Sequence, residues 1–224
     1  MKELRYSIHS DLYEIASKPI RNRYDLLRLL SLTLKSITIQ EDTKEIVDTN
    51  HEGKKGEIII HTERMSRIFY YLEGKQFSFH FPFYIEMNGE LQKSCIYKGD
   101  TLVNDALITS VMVSIICNEE FVNISFSDLR DYIGEIIETD YAGSEIRERS
   151  LVELVEFLLS FEPGYIRYDE DMSFQEDDKK HPRYHLDVNY DSSATYKIGL
   201  SAPLKKEDLV DITNTNINCS FLKL

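Results

Sequence analysis

From Gln76 to Met87 the chain reads QFSFHFPFYIEM, and every second residue is apolar: Phe77, Phe79, Phe81, Phe83, Ile85 and Met87. A period of two places these side chains on one side of a strand. Pro82 has no amide hydrogen to give a ladder, so the strand is expected at a sheet edge or bulged near its middle. EIIIH (57–61) and RIFYYLE (67–73) read as strands before it, with Gly74-Lys75 as the turn. Asn88-Gly89 offers a tight turn into LQKSCIY (91–97). The pattern predicts an antiparallel meander with one aromatic face. Gln76, Ser78, His80 and Glu86 interleave the phenylalanines where a base-stacking platform carries Lys and Arg, so the rings are expected to pack a core.

Elsewhere the apolar spacing is helical. Residues 2–17 and 21–37 read as two helices separated by Pro19, the second carrying Tyr24, Leu27, Leu30, Leu34 and Ile37 on one face. The polar stretch QEDTKEIVDTNHEGKKG (40–56) reads as an exposed connection. Asn104 is expected to cap a buried helix through Cys117, Ser127 to cap 128–138, and Ser144 to cap 145–161, which Pro163-Gly164 ends. The expected fold class is α+β: N-terminal helices, a central antiparallel β-meander, packing helices and a C-terminal β-hairpin. The expected division is a helical segment 1–38, a connection 39–56 and a body 57–224, together one domain.

The C-terminal part holds the candidate chemistry. YIRYDED (165–171) reads as a strand, and an acidic loop leads to KKHPRYHLDVNY (179–190). In the latter, Tyr184, Leu186, Val188 and Tyr190 alternate with Arg183, His185, Asp187 and Asn189. An extended segment rises ~3.3 Å per residue, so His181 and His185 stand about 13 Å apart and cannot share a metal as a helical H-x-x-x-H pair would. His185 and Asp187, about 7 Å apart on one side, can converge on a ligand.

The next strand, TYKIGL (195–200), must send Tyr196, Ile198 and Leu200 to the core side, which requires an odd-numbered loop. A three-residue loop, Ser192-Ser193-Ala194, pairs Asn189 with Lys197 and Asp187 with Gly199. The predicted polar face is therefore His185, Asp187, Asn189 and Lys197, joined by Arg167, Asp169 and Asp171 if the preceding strand lies alongside. Carboxylates with an imidazole can hold Mg²⁺ or Mn²⁺, and a nearby lysine can hold a phosphate. The competing account is a half-solvated antiparallel strand with an ordinary polar face.

Composition narrows the options. The 224 residues are 42% hydrophobic and 11% aromatic, as in a folded domain. A net charge of −13 argues against a nucleic-acid partner for the acidic body. Residues 1–38 carry seven Lys/Arg against four Asp/Glu, an excess read as an ordinary helix surface. The opening MKELRYSIHSDLYEIA has no apolar h-region, and ALITSVMVSIIC (106–117) is too short to span a bilayer. Cys95, Cys117 and Cys219 show no zinc spacing and no disulfide framework, so reduced thiols in the cytoplasm are expected. P-loop, G-x-G-x-x-G, G-x-S-x-G and H-E-x-x-H motifs are absent from the sequence.

The series RYD-x-D, HP-x-Y-H-x-D and a strand ending in KIGL resembles the tail of small uncharacterised bacterial proteins found in mobile or phage-defence gene neighbourhoods. The resemblance covers about the last 50 residues and implies a bacterial or phage origin, with no catalytic residues attached. Three functions remain. The first is a non-enzymatic interaction or regulatory subunit with a protein partner and no resident cofactor. The second is a metal-dependent phosphodiesterase or nuclease, with His185, Asp187 and Lys197 catalytic and Asp169, Asp187 and His185 as metal ligands. The third is a small-ligand sensor using Arg167, Asp169 and Asn189 on the same face.

Overall fold

The computed structural model describes residues 3–43, 56–62, 65–89, 93–171 and 182–219. His181, the whole of 172–180 and most of 40–56 lie outside them. The fold is mixed α+β, with two compact units interleaved along the chain: residues 1–21, 48–81 and 163–224 form one, and 22–47 and 82–162 the other.

The first unit holds β1 (Glu3–Ser7), α1 (Ser10–Ser17), β2 (Glu57–His61), β3 (Arg67–Leu72), β4 (Lys75–His80), β8 (Ile166–Glu170), β9 (Tyr184–Val188), β10 (Tyr196–Leu200) and α6 (Lys206–Thr213). Its strands form one antiparallel sheet in the order β1-β2-β3-β4-β8-β9-β10. On one face Ile59, Phe69, Tyr71, Tyr168 and Leu186 pack against Leu209 of α6, with Tyr184, Ile198 and Leu200 partly buried beside them. The core side assigned to Leu186, Ile198 and Leu200 is therefore observed, but Tyr196, assigned to the same side, is exposed at the start of β10, and Tyr190 packs against Tyr165 instead. On the opposite face Tyr70 stacks on Phe77 with centroids 4.5 Å apart and on Phe79 at 5.8 Å.

Residues 2–17, read as one helix, divide into β1 and α1. Leu4 and Tyr6 pair with Ile60 and Ile58, while Arg5 joins Glu3 at 2.8 Å and Glu57 at 2.9 Å. Pairing with the β-branched run of β2 outweighs the short helical pattern of the N-terminus.

The second unit holds α2 (Arg23–Thr43), β5 (Tyr84–Asn88), β6 (Lys93–Lys98), β7 (Thr101–Leu102), α3 (Ala106–Ile116), α4 (Leu129–Asp140) and α5 (Glu148–Ser160), with β5, β6 and β7 as a separate three-stranded sheet. The boundary read at residue 38 falls inside α2. The stretch 76–87 is not one edge strand. β4 runs between β3 and β8 in the middle of the large sheet, and β5 belongs to the small one. The chain leaves the ladder at Pro82, immediately after Phe81 donates its amide to Ser66 and His80 donates to Pro163. Phe77, Phe79, Phe81 and Phe83 are buried, whereas Met87 is exposed.

The three expected caps are displaced. Asp105, not Asn104, caps α3 by accepting from Leu107 and Ile108 at 2.9 and 3.1 Å. Asn104 instead ties the small sheet, accepting from Ile96 at 2.8 Å and donating to the Ser94 carbonyl at 2.9 Å. Asp128 precedes α4 and bonds to Ser125 and Ser127, and Arg147 precedes α5, leaving Ser144 in the turn after α4 with its amide on Tyr141. Of the helical stripes that the sequence spacing gives, Leu129, Tyr132, Ile133 and Leu151, Leu154, Val155, Leu158 are buried, while Ile136, Ile137 and Leu159 are half-buried. No helix among the described residues is long and apolar enough to cross a membrane.

Candidate functional site

The site lies on the sheet face that carries Tyr70 and Phe77. The register aligns Phe77, Arg167, Asp187 and Lys197 in one row across β4, β8, β9 and β10. Lys75, Asp169, His185 and Gly199 form the adjacent row. Cross-strand neighbours on one face stand ~4.5–5.5 Å apart, so these rows place the ionisable side chains in contact.

Arg167 is the hub. Its Nε donates to Asp169 Oδ2 at 2.6 Å, and its Nη2 donates to Asp187 Oδ2 in a very short bond. Lys197 Nζ approaches His185 Nε2 at 3.2 Å and Asp187 Oδ1 at 3.5 Å. His185 Nε2 also faces Asp169 Oδ2 at 3.7 Å, and its Nδ1 lies 3.0 Å from the Pro182 carbonyl. That carbonyl can only accept, so Nδ1 carries the proton and Nε2 presents its lone pair to the cluster.

The cluster is withdrawn from water: the side chains of His185 and Asp187 are 5% and 6% exposed, against 37% for Lys197. His185 and Asp187 are thus buried, whereas Asp169 and Lys197 keep part of their surface in water. Burial works against the Arg167 charge, but Asp169 and Asp187 outweigh it and hold the pKa above its ordinary value. Asp187 Oδ1 has no hydrogen-bond partner among the described residues.

Arg167, Asp169, His185, Asp187 and Lys197 are thus brought together. Asn189 is not among them. The hairpin register is two residues away from the predicted one, pairing Lys197 with Asp187 and Gly199 with His185. The loop runs from 189 to 195 and remains odd-numbered, so the faces are preserved while the partners change. Asn189 takes a positive φ of 70° and its side chain accepts from the amides of Tyr190 and Asp191, which ends the strand early. Asp171 lies one residue past β8 and donates its amide to Arg183.

Two members of this face were missed in the sequence. Lys75 was read only as a turn residue, yet it shares the parity of Phe77 and Phe79, and that misfit of a lysine on an aromatic face was the available signal. Its Nζ donates to the carbonyls of Ala16, Ser17 and Lys18 at 2.9, 3.3 and 2.9 Å, closing the C-terminus of α1. Burial, reinforced by Arg167 and opposed by Asp169, lowers its pKa to about 8. Tyr165, at the same parity as Arg167, is buried and packs edge-on to Tyr190. Burial raises the pKa of its phenol and keeps it protonated.

Asp169, His185 and Asp187 each offer one metal-ligating atom, all within 4.8 Å of one another. No known protein family, curated protein or solved structure matches the chain.

Proposed function

We propose that this chain is a cytoplasmic interaction or regulatory subunit of a bacterial multi-gene system, working by binding rather than turnover. One observation carries the reading: the charges in the cluster are already matched to one another. The Arg167 guanidinium takes an oxygen of each carboxylate, and Lys197 faces the second oxygen of Asp187. A phosphate substrate would have to compete with the two carboxylates for Arg167 and Lys197. The net charge of −13 supplies long-range attraction toward a basic partner. The test is affinity capture from a bacterial lysate at low and high salt, paired with a phosphodiester hydrolysis assay. A stoichiometric partner held at low salt, without turnover, supports the reading. Turnover without a partner overturns it.

A metal-dependent phosphodiesterase is the second reading, favoured by the convergence of Asp169, His185 and Asp187 within 4.8 Å. In it a bound ion supplies the activated water and Lys197 faces the phosphate. Mn²⁺-dependent hydrolysis of bis(p-nitrophenyl) phosphate that disappears in Asp187→Asn would establish it.

A further inference from the structure

We infer that Asp169, His185 and Asp187 form a divalent-cation site in which the Lys197 ammonium holds the ion's place. The inference stands whether or not the site turns over a substrate.

Three features of the cluster agree. First, the bond from His185 Nδ1 to the Pro182 carbonyl makes Nε2 the nitrogen that accepts from the cluster, the arrangement that orients a histidine ligand toward a metal. Second, Asp187 is almost wholly buried, yet its Oδ1 makes no hydrogen bond among the described residues. The Lys197 ammonium at 3.5 Å balances the charge of this oxygen without a hydrogen bond, and a cation bound directly to the oxygen compensates the burial more fully. Third, Arg167 bonds the Oδ2 atoms of both aspartates and so orients the two carboxylates without using Asp187 Oδ1 or His185 Nε2. Hydrogen bonds of this kind, behind the ligating atoms, are what a metal centre requires of its surroundings.

Lys197 marks the position. Its Nζ is 3.2 Å from Nε2 and 3.5 Å from Oδ1, so a positive charge already lies in front of these two ligand atoms. These separations suit an ammonium; a divalent ion would be held at ~2.0–2.6 Å. Two ligands of one ion at about 2.2 Å can be no more than about 4.4 Å apart, so a group spanning at most 4.8 Å needs to contract by less than an ångström. The 37% exposure of the Lys197 side chain lets its flexible stem move aside toward solvent while Arg167 stays. One imidazole nitrogen with two carboxylates suits Mn²⁺, with water completing the shell.

Mn²⁺ binding to the full chain, followed by calorimetry and electron paramagnetic resonance, tests this. The native chain is expected to take up one Mn²⁺ that shows nitrogen coupling from His185. Lys197→Met, which removes the competing ammonium but keeps an apolar stem, is expected to bind at least tenfold more tightly. Unfolding cannot produce that gain. If Lys197→Met binds no more tightly than the native chain, or the bound Mn²⁺ shows no nitrogen coupling in either protein, the inference is overturned.

Discussion

Arg167 and Asp187 are direct register partners across β8 and β9, and the guanidinium of the first bonds the carboxylate of the second. Because Asp187 is buried, the pair is worth more as a pair than either residue is alone. Asp187→Ala leaves the guanidinium without its closest acceptor and should destabilise the fold by ~3–5 kcal/mol. Replacing both together, Arg167→Met with Asp187→Leu, should cost clearly less than the sum of the two single changes. Urea unfolding of the four proteins measures the coupling; strict additivity would mean the pair does not act as a unit.

Lys75 gives a second expectation. Its ammonium binds three carbonyls at the end of α1, so Lys75→Met should lose ~1.5–3 kcal/mol, with the lost amide protection concentrated in α1. The folded-state pKa of about 8 lies below the unfolded value of ~10.4, so between these limits the unfolded chain holds more protons. The native contribution of this group therefore becomes more favourable as pH rises from about 8 toward ~10, and the Met variant should lack that slope. Thermal melts across this range read it out.

His61 sets the sign on the acid side. Its ring is buried edge-on to Phe69 at 5.1 Å, and neither ring nitrogen makes a hydrogen bond among the described residues. Burial lowers its pKa, with Arg5 adding to the effect and Glu3 at 3.7 Å opposing it. The unfolded chain takes up the proton first, so stability is lost as pH falls through ~6.5 toward the folded value. His80, also lowered by burial, acts in the same direction. His61→Phe should show a flatter acid limb than the native chain in pH-dependent urea unfolding.

Asn189 holds the hairpin register by its left-handed backbone and the two amides that its side chain accepts. Asn189→Ala should cost ~1–2 kcal/mol, and Asn189→Gly less, because glycine restores the conformation without the bonds. Chemical denaturation of the two variants would show equal losses if conformation were irrelevant.

These residues also show what could be read from the chain. Period-two alternation is a local property, so the two faces of β8, β9 and β10, and with them most of the cluster, followed directly from the order of side chains. Register is not local: it depended on Asn189 adopting a positive φ, which moved Lys197 from the predicted Asn189 to Asp187. The same limit explains β1, whose strand character comes from pairing with Ile58 and Ile60, far along the chain. Lys75 was missed because a lysine after a turn glycine is usually solvated; its parity with Phe77 hinted at the aromatic face, but only its neighbours in space show it half-buried there. The continuous alternation through Pro82 hid the point where one sheet ends and another begins.

The placement of β8 beside β4 has a consequence for how the molecule is made. Residues 81–165 separate the two strands in sequence, so a long loop must close before they meet. Closure of this kind is entropically unfavourable and slows folding relative to hairpin formation. The β2-β3-β4 meander can zip up from adjacent segments during synthesis, but Asp169, His185, Asp187 and Lys197 wait for strands made later. Until those strands dock, the β4 edge of the meander is unpaired and exposed, so nascent or truncated chains are predicted to self-associate there.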